Sequence, residues 1–91
     1  MMVKIFATLR QYAGKKEVEV PLDAGDTVGN VLAKLTAEYP ALGQHILDGD
    51  GNLQNFIIVL LNGRNIRFLD GLESTLQESD HIALFPLIGG G

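Results

Sequence analysis

Ninety-one residues with seven Lys and Arg against eleven Asp and Glu carry a formal net charge of −4, which argues against nucleic acid and anionic membrane as ligands. This length fits one domain of the usual ~50–200 residues and leaves little room for an enclosed active site. Apolar residues make up 46%, enough for an efficient core, and the lack of cysteine excludes disulfides, a catalytic thiol and thiolate metal ligands.

"MMVKIFATLR" has no basic region leading into a long apolar run, and no stretch reaches the ~20 apolar residues of a membrane span. The expectation is a soluble cytoplasmic protein. Residues 3–9 set Val3, Ile5 and Ala7 on one face and Phe6 on the other, which predicts a strand. Gly14 reads as a turn, and Val18, Val20 and Leu22 then alternate as a second strand that closes an N-terminal hairpin. Pro21 marks a strand end or an edge position.

The period then changes. Val28, Val31, Leu32, Leu35 and Tyr39 follow helical spacing along one face, with Asp26 or Thr27 as N-cap. Tyr39-Pro40 ends this helix, because proline disfavours helix at the residue before it. Residues 41–55 read as a connector with one short helical turn around residues 42–47. "FIIVLL" is the most apolar run and suits a buried strand; Asn62-Gly63 is a two-residue hairpin signal leading into "NIRFL". Residues 70–80 are polar, anchored by Leu72 and Leu76, and "HIALFP" alternates Ile82 and Leu84 as a last strand.

Strand, strand, helix, strand, short strand, strand is the order of an α+β, ubiquitin-like β-grasp: a mixed sheet of four to five strands with one main helix packed across it. The handedness of crossovers sets the first and last long strands side by side and parallel, so the last strand lies centrally. The expectation is a domain over residues 1–86 followed by residues 87–91 as a flexible tail ending in Gly-Gly-Gly.

Motifs for internal chemistry are missing. Asp48, Asp50 and Asn52 resemble the opening of a calcium loop, but the sixth position is Leu53 and the twelfth Val59, so a surface turn is the better reading. His45 and His81 have no neighbour at metal-ligand spacing. Neither a nucleophile elbow nor a phosphate-binding glycine motif occurs. Arg64 and Arg67 suit a solvated hairpin as well as a pairing with acids on a partner. What remains is "ALFPLIGGG". Its glycines are either a disordered end or a thin backbone that threads a narrow channel in another protein.

Leu61-Asn62-Gly63, Thr75-Leu76, Asp80 with Ile82, Phe85-Pro86 and Gly90-Gly91, in this order, resemble the ubiquitin-like sulfur carriers of the MoaD/ThiS family. "VKIFATLRQYAG" and "DTVGNVLAKL" extend the resemblance over nearly the whole chain, and the longer connector is similar to the longer carriers. Three departures stand out. Ser79 replaces the glycine of an acidic turn, Leu87 replaces the second proline of a Phe-Pro-Pro pattern, and Gly89 adds a third glycine.

The resemblance implies a carrier and not an enzyme. A partner adenylyltransferase of the ubiquitin-activating type, holding ATP and metal, activates the Gly91 carboxylate; sulfur replaces AMP, and the thiocarboxylate donates to an acceptor enzyme. Acceptors of this kind include the large subunit of molybdopterin synthase and cysteine-synthesis enzymes. On this reading Gly89 and Gly90 thread into the partner, while Phe85, Pro86, Leu87 and Ile88 dock against it; no metal or cofactor is expected on the chain itself. Two alternatives remain: a modifier joined through Gly91 to lysines, and a β-grasp interaction domain with an inert tail.

Overall fold

Alternating burial forms the first strand, and a backbone reversal ends it. In the computed structural model, which describes residues 1–87, β1 spans Met2–Ile5 with Val3 and Ile5 fully buried. Ala7 takes a left-handed φ of 54°, so the strand expected over residues 3–9 stops early. A 3-10 turn at Ala7–Leu9 and the short helix α1 (Arg10–Ala13) follow, and Leu9 reaches the core from that turn. Gly14, at φ 72°, caps α1 and is not a hairpin apex. Strand β2 (Glu17–Glu19) pairs antiparallel with β1, Val18 opposite Val3, and Pro21 falls just past its end.

Helix α2 (Val28–Glu38) buries Val28, Val31, Leu32 and Leu35, the face its spacing predicts. Thr27 is the cap, in a reciprocal box: Asn30 N–H donates to Thr27 Oγ1 at 3.2 Å, and Thr27 N–H to Asn30 Oδ1 at 2.9 Å. Pro40 ends α2 and also opens α3 (Pro40–Ile46), because its missing N–H costs nothing in a first helical turn. The connector therefore holds a helix of seven residues that buries Leu42 and Ile46. Gly43 allows α3 to approach α2 closely; a Cβ there would lie 2.3 Å from Thr36 Cγ2.

The remaining strands are β3 (Ile57–Leu61), β4 (Arg64–Asn65) and β5 (Ile82–Pro86). Their order across the sheet is β2-β1-β5-β3-β4, with β5 in the centre. β1 and β5 run parallel, Val3 opposite Ile82; β5 and β3 run antiparallel, Leu61 opposite Ile82 and Ile57 opposite Pro86. This is the mixed β-grasp sheet the element order predicts. Its inner face joins Val3, Ile5, Val59, Ile82 and Leu84 to the helices in one core. Among the described residues no helix is long and apolar enough to cross a membrane.

Candidate functional site

Strand side chains alternate between faces, so the strands that bury Val3, Val59 and Leu84 turn a second set outward. Lys4, Ala83 and Leu60 stand in one row across β1, β5 and β3, and Phe85 and Ile58 form the next. The run expected to be fully buried, residues 56–61, alternates instead: Ile57, Val59 and Leu61 are buried, while Ile58 and Leu60 are half-buried and Phe56 is exposed. An all-apolar strand can result from apolar chemistry on both faces as well as from burial on both, and sequence alone does not separate the two.

Phe85 belongs to this outer face. Its ring stacks on Phe6 with centroids 4.3 Å apart and planes 9° from parallel. The Arg10 guanidinium stands over Phe6, 5.5 Å from the ring centroid, and its Nε–H donates to Ile5 O at 2.8 Å. Beside the stack lies a shallow depression of about 400 Å³, lined by Lys4, Leu60, Asn62, His81, Ala83 and Phe85. The sequence reading did not assign Phe6, Arg10, Ile58 and Leu60 to a site; the signal available was the apolar outer register of β1 and β3.

Toward the terminus, Pro86 is half-buried and Leu87 is 57% exposed. Pro86 has no N–H to donate, but Leu87 N–H donates to Phe56 O and carries the chain one bond past β5. A second proline at position 87 would lack this donor. Ile88, Gly89, Gly90 and Gly91 lie outside the described residues.

At the opposite end of β5, Asn62 explains why Leu61-Asn62-Gly63 and the acidic turn go together. Asn62 holds φ 51°, a conformation asparagine tolerates better than most residues, with Gly63 following at φ 84°. Its Nδ2–H donates to Asp80 Oδ1 at 2.8 Å, its Oδ1 accepts from His81 N–H at 2.9 Å, and its N–H donates to His81 O at 2.9 Å. Asp80 Oδ2 also accepts from Gln77 N–H at 2.7 Å. Ser79 is not among the residues with positive φ, so the fold does not require glycine there.

Other motifs resolve into local structure. Asp48 Oδ1 accepts from the backbone N–H groups of Asp50 and Asn52, which makes this segment the surface turn expected. His45 stacks on Tyr12 at 3.8 Å, and the described residues contain no group of three His, Asp or Glu suited to a metal ion. Arg67 is used within its own chain: Nη2–H donates to Gln54 O at 3.0 Å and Ile57 O at 3.2 Å. The open face therefore offers apolar area, a basic margin of Lys4 and Arg10, and a central strand that ends beside it at Pro86. Such a surface can bind and present.

Comparison with known proteins points the same way. The ThiS family model matches residues 3–91. Small archaeal modifier protein 3 of Haloferax volcanii is 37% identical over 89 residues, spanning 98% of this chain and 96% of that protein. Sulfur carrier protein CysO of Mycobacterium tuberculosis is 30% identical over 92 residues, spanning 98% and 96%. In the crystal structure of the Amycolatopsis orientalis BexX/CysO complex, a chain 27% identical superposes with a TM-score of 0.84, covering 99% of this chain and 98% of that one.

Proposed function

This chain belongs to the ThiS family, and we propose that it carries sulfur as a thiocarboxylate on the α-carboxyl group of Gly91. Its relatives are small carrier and modifier proteins, and the chain is of that kind, a carrier and not a catalyst. A carboxylate is a poor electrophile until one oxygen becomes a leaving group. In the proposed cycle a Gly91 oxygen attacks the α-phosphorus of ATP on a partner adenylyltransferase and expels pyrophosphate. Hydrosulfide then attacks the acyl carbon and displaces AMP, leaving the thiocarboxylate. ATP and its metal ion belong to the partner, and the cytoplasm, where ATP is held, is the compartment we assign.

The observation that carries this reading is the position of β5. The central strand, fixed on both sides by β1 and β3, leads straight into the C-terminal segment beside an open apolar face. We assign the face around Phe85, Pro86 and Leu87 to docking on the partner, with Ile88 continuing it and Gly89 and Gly90 threading ahead of Gly91. Glycine suits that role because no Cβ limits the backbone or the walls of the channel. A CysO chain crystallised with BexX is a precedent among relatives for binding to a second protein.

A second reading has its own support. Similarity to small archaeal modifier protein 3 favours conjugation, in which a lysine amine attacks the same adenylate-activated carbonyl and forms an isopeptide bond. Intact-mass analysis after incubation with an activating enzyme, ATP and a sulfur source separates the outcomes. Exchange of oxygen for sulfur at the terminus supports the carrier; a branched peptide from Gly91 to lysine supports the modifier; neither product with any activating enzyme leaves an interaction domain. One residue added after Gly91, or loss of Gly90-Gly91, abolishes turnover with an unchanged Tm. Sulfur transfer that survives either change sinks the assignment. Purified acceptors, a molybdopterin synthase large subunit and a cysteine-synthesis enzyme among them, then identify the pathway.

A further inference from the structure

We propose that Arg67 is a positioning residue that sets where the C-terminal segment leaves the sheet. The inference rests on the carrier reading above for its functional consequence, but its structural half stands alone. Arg67 lies on the 3-10 turn Ile66–Phe68 that follows β4, and its N–H donates to Asn65 Oδ1 at 2.9 Å, which fixes the base of the side chain. The guanidinium then reaches a separate segment, the turn that precedes β3. One nitrogen, Nη2, donates to Gln54 O at 3.0 Å and to Ile57 O at 3.2 Å. Ile57 N–H also donates to Gln54 O at 3.1 Å, so Arg67 grips both ends of a closed turn.

The middle of that turn holds Leu87. Phe56 O, between the two gripped carbonyls, accepts from Leu87 N–H. Ile57 opposite Pro86 is the last pair of the β3–β5 ladder, and this bond extends the ladder one residue beyond it. The chain of contacts runs from Arg67 to the turn, from the turn to Phe56 O, and from there to Leu87. Past Leu87, four residues extend at most ~14 Å, so the point of departure limits which channels Gly91 can reach. Charged donors form stronger hydrogen bonds than neutral ones, and the planar guanidinium loses little freedom in making them. A rigid turn at this position therefore aims the segment without adding a contact to the partner.

The test uses the full chain with Arg67→Gln and Arg67→Lys, read by amide hydrogen exchange and by steady-state adenylation. In Arg67→Gln, exchange at Leu87 accelerates about tenfold, the amount expected for loss of charge-assisted hydrogen bonds, while Leu84 in the core is unaffected. Adenylation kcat falls by a similar factor and KM for the carrier stays within about twofold, since the docking face is untouched. Arg67→Lys restores part of both. Leu87 exchange equal to wild type in Arg67→Gln overturns the proposal. So does a raised KM with unchanged kcat, which would make Arg67 a contact on the partner. If the wild-type chain is not adenylated at all, the carrier reading fails, and the exchange data still decide whether Arg67 holds the exit.

Discussion

Asn62 concentrates several demands on one side chain. It sits in the left-handed region at φ 51° and joins the β3–β4 hairpin to the turn before β5 through Asp80 and His81. Asn62→Gly keeps the backbone conformation and loses the side-chain bonds; Asn62→Ala loses both. Thermal or chemical denaturation is expected to show the alanine variant less stable by about 2 kcal/mol and the glycine variant by about half that. Equal losses would mean that the backbone conformation contributes nothing. The hairpin itself was legible because Asn-Gly is a local signal. The bonds to Asp80 and His81 were not, because eighteen residues separate Asn62 from Asp80 and the side chains meet only once β5 pairs with β3.

Between elements, two contacts fix α2. Lys34 bridges back to the loop ahead of the helix: its Nζ donates to Pro21 O and Asp23 Oδ2, each at 2.9 Å, and to Asp26 Oδ2. The Lys34 hydrogen bond, helped by the Asp23 backbone N–H, holds the Asp26 carboxyl below its ordinary pKa, and Asp26 in turn raises that of Lys34. The signs differ. Stability from Asp26 is present above the usual carboxylate range and lost as pH falls through its depressed folded pKa; stability from Lys34 is present below the usual lysine range and lost as pH rises through its raised one. Asp26→Asn is therefore expected to flatten part of the acid limb of a Tm–pH profile, and an unchanged limb would exclude the pair as a contributor. On the other side of α2, Gly43→Ala forces a methyl group against Thr36 and is expected to destabilise by about 2 kcal/mol in denaturant titration despite alanine's better helix propensity. A more stable variant would show that α3 can move away freely. The helical face of α2 could be read from its period, whereas α3 was legible only as one short helical turn around residues 42–47 within a connector, because seven residues carry too few repeats and open with a proline.

Across the whole molecule, the proposed cycle gives the open face and the exit point separate tasks, docking and aiming, and kinetics can separate them. Leu60 is half-buried on the outer face, away from the turn that Arg67 holds. Leu60→Glu keeps the fold, places a charge in the apolar patch, and is expected to raise KM for the activating partner about tenfold with kcat nearly unchanged. An unaltered KM would remove this face from the docking surface. Phe85 was legible as a candidate because it precedes the tail. Its partner Phe6 was not, since their contact depends on the parallel β1–β5 pairing that joins the two ends of the chain.

By itself the sequence determined the order and type of the main elements, the family resemblance and the terminal glycines, because these are written in short-range spacing and in contiguous motifs. It also separated the inner face of β1, β2 and β5, since period-two alternation needs no knowledge of neighbours, but not that of the all-apolar β3. Only the tertiary structure decided what covers each face. The helices close one side over Val3, Val59 and Leu84, while Phe6, Ile58, Leu60 and Phe85 share the other, where the described residues leave them half-buried. The hydrogen bonds of Arg67 were decided in the same way. Its carbonyl partners lie ten and thirteen residues away, and a long flexible side chain reveals its target only when the folded backbone brings that target within hydrogen-bond reach.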